Sequence, residues 1–581
     1  MALVLTLVAA TLAAPALCVG PIATTTIAAP ITIPFDTSLR TNSTYLPLQS
    51  ASLPDANAPA SQPTQVHLSP AGVNSVTVSW ATQNYTVGKG YVAPLPTAGV
   101  VSLVQYGASP TALTSTASGI TETYNQIYNT TVSPRVGGDN AFNYTSPLLH
   151  SVVVANLSPG ATYFYRVGDG TTFSGTFNFT ALKAPGQNYP QRIIAIADWG
   201  LSSNSSSTLD HVLDSVASST SPPLVNYIAD FVYADCWYVN GTVSIPTQGF
   251  EGALSSTWQP VWDSWQRFIQ PLVSQVPMLF STGNHEIEQQ STGEIFRSVM
   301  TRWKAPASAI PPPAPASSFF FYSHEVGPIH NIFLSPYVDY TPGSDQWNWL
   351  AYDLLRTNRT VTPWVIVNIH NPWVTTDSSY KEFEQMRTSM EPLTYQFGVD
   401  IFFYGHVHAY ERSAPVYNYE VNPCGSVHIT IGDAGNSEGL SFLLNYGPAE
   451  QFEDLNGGCG NVTYPNQRAS YLNTATPNII DPFTYYRHVL TFQADGNSTG
   501  YAGEYPKGYC YAEQPLWSQY REPSFGHGTL DALNATHARW QWHRNQDGVK
   551  VAAEDIYVIR DTTACPNKAG QGLVSGGGAS D

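Results

Sequence analysis

"FFYGHVHAYERS", residues 402–413, follows the apolar run "VDIFF" and sets two histidines one residue apart behind a glycine. A lone histidine beside aromatic residues is most often packed and satisfied in a core. A pair at the end of a buried strand has a second explanation, because imidazole is the commonest metal ligand. The other strand ends of the chain decide between packing and metal.

Working outward, "RIIAIA" runs into Asp198 of "DWG", and "LVNYIA" runs into Asp230 of "DFVYAD", with Tyr233 three residues on. "VPMLFST" runs into Asn284 and His285 of "GNHE", "WVIVNI" into His370 of "HNPW", and "VDIFFYG" into His406 and His408. Any single Asp or Asn here could be a turn or helix-cap residue. Five strand ends that all terminate in carboxylate, phenol, amide or imidazole make a donor set. Hard oxygen plus imidazole without thiolate suits iron, zinc or manganese and excludes an iron–sulfur cluster. Asp198, Asp230, Tyr233, Asn284, His370, His406 and His408 are too many donors for one ion and enough for two that share a carboxylate. In an extended segment, residues i and i+2 face the same side about 7 Å apart. On that basis His406 and His408 would each serve one of two ions about 4 Å apart.

The strands that end in these donors alternate with segments of helical character, such as Trp258 to Gln275 and Asp345 to Asn358, which implies an α/β domain with its site at the carboxyl edge of the strands. Upstream the texture differs. Ser75 to Thr82, Val100 to Gly107, Leu148 to Leu157 and Ala161 to Gly168 alternate with period two between Gly, Pro and Asn, as in an antiparallel sandwich. The expected organisation is a signal peptide at 1–18, a Pro/Ala/Thr-rich linker or extended arm at 19–60 and an all-β domain at 61–183. A catalytic domain follows at 190–560, with a long insertion at about 440–520, and a flexible tail at 566–581.

Charged residues make up only 11% of the 581, and the formal charge is −18. That balance argues against nucleic acid or an anionic membrane as partner and requires a local source of positive charge for any anionic substrate. Asn-x-Ser/Thr triplets at Asn42, Asn84, Asn129, Asn156, Asn178, Asn240, Asn358, Asn497 and Asn534, with the uncharged apolar start ending in small residues, point to an exported glycoprotein. No later segment is apolar for long enough to cross a membrane. Cleavage near Cys18 would leave Cys236, Cys424, Cys459, Cys510 and Cys565, so one or two disulfides and one spare thiol are expected, with the pairing unreadable.

"DWG", "ADFVYAD", "GNHE", "IHNPW" and "GHVHAYER", in that order and supported by "TIGDAGNSEG" and "REPSFGHG", resemble the purple acid phosphatases of the metallophosphoesterase superfamily. The resemblance runs from about Pro63 to about Arg560. It implies a fibronectin III-like sandwich followed by an α/β metallophosphoesterase domain, a β-sandwich core flanked by helices. It implies a ferric ion, Fe(III), on Asp198, Tyr233 and His408, with Asp230 bridging to a second divalent ion (Zn, Fe or Mn) held by Asn284, His370 and His406. The activity implied is secreted, extracellular, wall-bound or vacuolar hydrolysis of a small phosphate-ester substrate at acid pH. A hydroxide generated at the metals would be the nucleophile, and His285 would contact substrate or protonate the leaving group. A phosphodiester, nucleotide pyrophosphate or phytate is the alternative substrate, and a non-catalytic exported glycoprotein the alternative role.

Three departures stand out. Plant members carry a histidine pair some nine residues beyond the ligand matching His370, whereas this chain has Ser378, Ser379 and Tyr380 there, which makes Tyr380 a candidate substrate contact together with Asn284 and His285. Ala229 stands where the family usually has glycine, a small change expected to cost little. Some eighty residues separate Gly439 from Arg521 where a short connection is usual, and a loop of that length is commonly a lid or a subdomain.

Overall fold

The computed structural model describes residues 29–33, 46, 53, 58–89, 93–128, 142–234, 258–288, 294–306, 315–377, 383–440 and 514–569. The signal peptide, Tyr380, nearly all of the 440–520 insertion and four of the six cysteines lie outside the described residues.

The strands expected from the period-two runs form two facing four-stranded sheets. One pairs Thr64–Gly72, Ser75–Thr82, Leu148–Val154 and Ile120–Glu122; the other pairs Phe177–Thr180, Thr162–Gly168, Leu103–Gly107 and Ser115–Ser118. Val66, Val78, Trp80, Val104, Val152 and Tyr165 fill the space between them, every second residue of each strand pointing inward. This sandwich is fastened to the following domain through Arg302, which is buried and reaches Asp263 Oδ1 at 3.0 Å, Tyr144 OH at 2.7 Å and Gln65 Oε1 at 3.2 Å.

The second domain is itself a sandwich of two sheets. A six-stranded sheet orders Met278–Phe280, Leu224–Tyr227, Gln191–Ile196, Gly526–Ala532, His537–Arg544 and Glu554–Ile559. A nine-stranded sheet carries Ile329–Phe333, Trp364–Ile369, Ile401–Tyr404 and Ser426–Ile431 as parallel neighbours at its centre. Both faces of these strands are buried, so they read as continuous apolar runs. Ile193 and Ala195 face the other sheet, while Ile194 and Ile196 face the helices. Pro260–Val273, Asp345–Arg356 and Glu384–Gln396 cover the outer faces, with Trp262, Trp265, Leu350 and Met390 in the packing.

Regular structure extends into two of the flanking segments. Within the 19–60 arm, Ile31–Thr32 pairs in parallel with Tyr520 and Arg521 as the edge strand of the larger sheet. Its side chain joins in, since the Arg521 Nε–H donates to Thr32 Oγ1 at 2.7 Å. At the other end the chain stays ordered past 566: Pro566–Lys568 form a 3-10 turn, Lys568 is buried, and Cys565 is bonded to Cys424. Among the described residues no helix is long and apolar enough to cross a membrane.

Candidate metal centre

Strands from both sheets end at one place. Gln191–Ile196 delivers Asp198, Leu224–Tyr227 delivers Asp230 and Tyr233, and Met278–Phe280 delivers the 3-10 turn Asn284–Glu286. From the larger sheet, Trp364–Ile369 delivers His370, and Ile401–Tyr404 delivers His406 and His408. All seven donors are buried.

The donors fall into two groups. In the first, Tyr233 OH lies 3.0 Å from Asp198 Oδ1 and 3.2 Å from His408 Nε2, and His408 Nε2 lies 3.4 Å from Asp198 Oδ1. In the second, one ligating atom from each of Asp230, His370 and His406 lies within 4.8 Å of the others, and Asn284 Oδ1 is 3.1 Å from His370 Nε2. The far nitrogens of two imidazoles are tied to backbone carbonyls: His370 Nδ1 to Ile228 O at 3.1 Å and His408 Nδ1 to Gly439 O at 2.8 Å. Those bonds turn Nε2 of each ring toward the other donors.

The segment around His406 is not an extended strand end as expected. Val407 N–H donates to Gly405 O and Ala409 N–H to Val407 O, both at 2.8 Å, so the chain folds through two successive three-residue turns. The two imidazoles still reach different groups. Asp198, Ala229, Tyr233 and His406 have φ of 57°, 48°, 55° and 68°, left-handed backbone that non-glycine residues adopt at a cost. Strain of this kind concentrates at functional sites and is held by the surrounding fold. Ala229 therefore carries a penalty that its size alone does not suggest, because a glycine there would be free of it.

Close approach also explains two glycines. A Cβ on Gly283 would sit 1.9 Å from Asp230 Oδ1, and one on Gly405 would sit 2.5 Å from Asp198 Oδ2 and 2.9 Å from His370 Nδ1.

Burial and neighbouring charges shift two of these donors in opposite directions. Burial, reinforced by Asp198 and Asp230, holds the Tyr233 phenol well above its ordinary pKa, so the phenol stays protonated in the protein alone. Burial works against the Asp230 charge, yet the His370 and His285 imidazoles outweigh it and hold the carboxyl well below the usual range. Asp230 Oδ2 is buried 3.1 Å from His370 Nε2 without the alignment of a hydrogen bond. Converging carboxylate, phenol, amide and imidazole atoms around such an orphan oxygen fit hard or borderline metal ions.

His285 lies over the site. Its backbone N–H donates to Asp230 Oδ1 at 3.0 Å, its ring centre is 4.2 Å from that of Tyr233, and its Nε2 is 3.9 Å from Asp230 Oδ2 and 3.6 Å from Glu438 Oε2. Sequence reasoning gave no role to Glu438, although "TIGDAGNSEG" was in view; nothing apolar precedes it to mark it as a strand end. Burial opposes its charge, but His285 and His408 hold its carboxyl below the usual value. Two more residues were passed over. Glu286 accepts from Phe231 N–H at 2.7 Å and Gly283 N–H at 2.9 Å, clamping two donor loops together. Asn436 Nδ2 donates to Asp198 O at 3.0 Å.

Known proteins share this organisation. The family model "Purple acid Phosphatase, N-terminal domain" matches residues 63–181, "Calcineurin-like phosphoesterase" matches 191–410, and "Iron/zinc purple acid phosphatase-like protein C" matches 496–554. Purple acid phosphatase 15 of Arabidopsis thaliana is 34% identical over 92% of this chain and 92% of its own. Purple acid phosphatase 23 of the same plant is 39% identical over 70% of this chain and 87% of its own. Among solved structures, the yellow lupin purple acid phosphatase PPD1 superposes with a TM-score of 0.58 at 19% identity, covering 87% of this chain and 75% of that one, which is a likeness of fold.

Proposed function

The chain belongs to the purple acid phosphatase family and is a metal-dependent phosphatase; from that premise we propose that it is an exported enzyme cleaving phosphate monoesters at a centre of two ions. The observation that carries this is the division of seven buried donors into two groups, one around Asp198 and one around Asp230. Asp198, Tyr233 and His408 would hold Fe(III), and Asn284, His370 and His406 a divalent Zn, Fe or Mn, with Asp230 between them. Ions held by these residues would supply the positive charge that a chain of net charge −18 otherwise lacks and would help to activate water.

The protein's own groups do the rest. The fixed carbonyl bonds of His370 and His408 keep their rings from turning, so each Nε2 is held toward the ion it would bind. His285, paired at 3.6 Å with Glu438, stands where it can donate a proton from Nε2 to the departing alkoxide, and Glu438 favours the protonated imidazole needed for that step. Asn284 and Tyr380 complete the set of proposed substrate contacts. Export is supported by the apolar N-terminus, by the disulfide between Cys424 and Cys565, and by the exposure of Asn84, Asn156, Asn178, Asn358 and Asn534.

Metal analysis and a visible spectrum of the purified secreted protein test the proposal. Two ions per chain, iron among them, and a broad absorption band that Tyr233→Phe abolishes are expected. Rates on an aryl monoester should exceed those on its diester. A colourless protein with its full metal content but no iron would overturn the Tyr233 assignment, and faster diester hydrolysis would overturn the substrate class.

A further inference from the structure

We propose that Arg359, Arg560 and Lys568 enclose a binding site for one small inorganic anion beside Asp400, at the end of the sandwich away from the metal centre. Asp400 immediately precedes Ile401–Tyr404, and that strand, about 13 Å long at its usual rise, separates it from His406.

The charge balance is the first argument. Arg359, Arg560 and Lys568 are 6%, 5% and 5% exposed, and the one carboxylate among them, Asp400, is 1% exposed. Asp400 Oδ2 is 3.0 Å from Arg359 Nη2, while Oδ1 is 3.5 Å from Lys568 Nζ and 3.9 Å from Arg560 Nε. Among the described residues no second carboxylate forms an ion pair with any of the three cations. Guanidinium does not give up its proton in proteins. Burial and the two guanidiniums push Lys568 below its ordinary pKa, yet even a neutral lysine leaves two arginines facing one aspartate. Uncompensated buried charge is among the costliest features a fold can carry.

The second argument is geometric. Arg359 Nη2 is committed to Gly398 O at 2.7 Å, and Arg560 donates Nη1 to Ala535 O at 2.9 Å and Nη2 to Lys568 O. Arg359 Nε and Nη1 and Arg560 Nε are buried with no hydrogen-bond partner, as is Asp400 Oδ1, so unpaired donors outnumber the unpaired acceptor three to one. Three N–H donors from two guanidiniums, crowded by Asp400, suit a halide or one edge of a small oxyanion. Such an ion would join the turn Pro566–Lys568, already tied by Cys565 to Cys424, to the strand that leads to His406 and His408.

The test uses the full protein melted in chloride-free buffer and in increasing chloride at fixed ionic strength. Mass action raises Tm with anion concentration, on the order of 2–4 °C once the site is well saturated. Arg560→Gln should abolish the response, whereas Arg539→Gln, which removes an exposed ion pair with Asp555, should keep it. If Arg560→Gln does not fold, Lys568→Gln takes its place. Crystals grown in bromide should show an anomalous peak between Arg359 and Arg560. Stabilisation by phosphate but not chloride, again lost in Arg560→Gln, would assign the site to an oxyanion. A flat response to both, or one that survives the substitution, overturns the proposal.

Discussion

Gly283→Ala should disable the proposed metal centre while leaving the fold intact. The added methyl would lie 1.9 Å from Asp230 Oδ1, 2.7 Å from Asp230 Cγ and 2.9 Å from Ala229 Cβ. Non-bonded heavy atoms settle at roughly 3.5 Å, so the carboxylate must retreat by about 1.5 Å. It has nowhere nearby to go, because His285 N–H holds Oδ1 at 3.0 Å and His370 Nε2 stands 3.1 Å from Oδ2. Losing the charged hydrogen bond costs about 1.5–3 kcal/mol, and misplacing a catalytic constellation by about 1 Å costs about 100-fold in rate. Gly283 has φ −115°, so the effect is steric and not one of backbone strain. Gly160→Ala is the matched control: its φ is 75°, nothing lies within 4 Å, and it should lose about 1–2 kcal/mol of stability at unchanged kcat. Metal content by plasma emission, kcat on an aryl phosphate and urea unfolding measure the three quantities. A Gly283→Ala protein with two ions per chain and wild-type kcat would refute the idea that Asp230 is wedged in place by this contact.

Ala229→Gly should stabilise the protein by about 0.5–1 kcal/mol, as relief of the left-handed φ of 48° exceeds the added freedom of the unfolded chain; a lower urea midpoint would contradict it. His285→Asn should lower kcat about 100-fold on an alkyl phosphate and much less on a nitrophenyl phosphate, whose leaving group needs no proton. Equal losses on both would assign His285 to orienting the site instead. Burial disfavours the charged form of His330, but Asp353 at 2.7 Å and Glu325 at 3.4 Å outweigh it and lift the imidazole to about 9. Because the folded pKa lies above the unfolded 6.5, this stabilisation, about 3 kcal/mol, is complete below pH 6.5 and is lost as pH rises through about 9. His330→Gln should flatten unfolding stability across that window, and an unchanged profile would show that the pair contributes nothing.

Legibility in the sequence followed burial. Parallel strands buried on both faces read as apolar runs, and whatever polar residue ended each run was exposed to view, which is how Asp198, Asp230, Asn284, His370 and His406 could be picked out together. Residues brought in by irregular chain could not be. Glu438 arrives seven residues after Ile431 through a turn, and its meaning comes from His285, far away in sequence. The helix Ser203–Ala217 begins with a Ser-rich stretch that resembles loop, and forms because Ser202 accepts from Asn204 and Ser205 N–H while Ser205 Oγ–H donates to Trp199 O at 2.6 Å. Ile31–Thr32 has no pattern of its own; its partner strand defines it. The left-handed φ of Ala229 is a property of the donor loop that composition does not carry.

The first donor group draws Asp198 and Tyr233 from the smaller sheet and His408 from the larger, and the second draws Asp230 from the smaller and His370 and His406 from the larger. Each group therefore exists only if the two sheets keep one relative placement. Apolar packing between sheets is forgiving of small slides, since one aliphatic contact replaces another at little cost. Directional bonds are not. At the centre of this sandwich Asn226 Nδ2 donates to Asn331 Oδ1 at 3.0 Å and to Asn368 Oδ1 at 2.9 Å, Asn331 Nδ2 returns to Asn226 Oδ1 at 2.8 Å, and Asn368 Nδ2 donates to Asn331 Oδ1 at 2.8 Å. All three amides are fully buried. Asn226 lies four residues before Asp230 and Asn368 two before His370, on the strands that carry those donors. A slide of one sheet over the other would strand several buried amide atoms at once, at about 1–3 kcal/mol each. The closed amide ring thus holds the strand ends to one register, and the register holds Asp230 against His370.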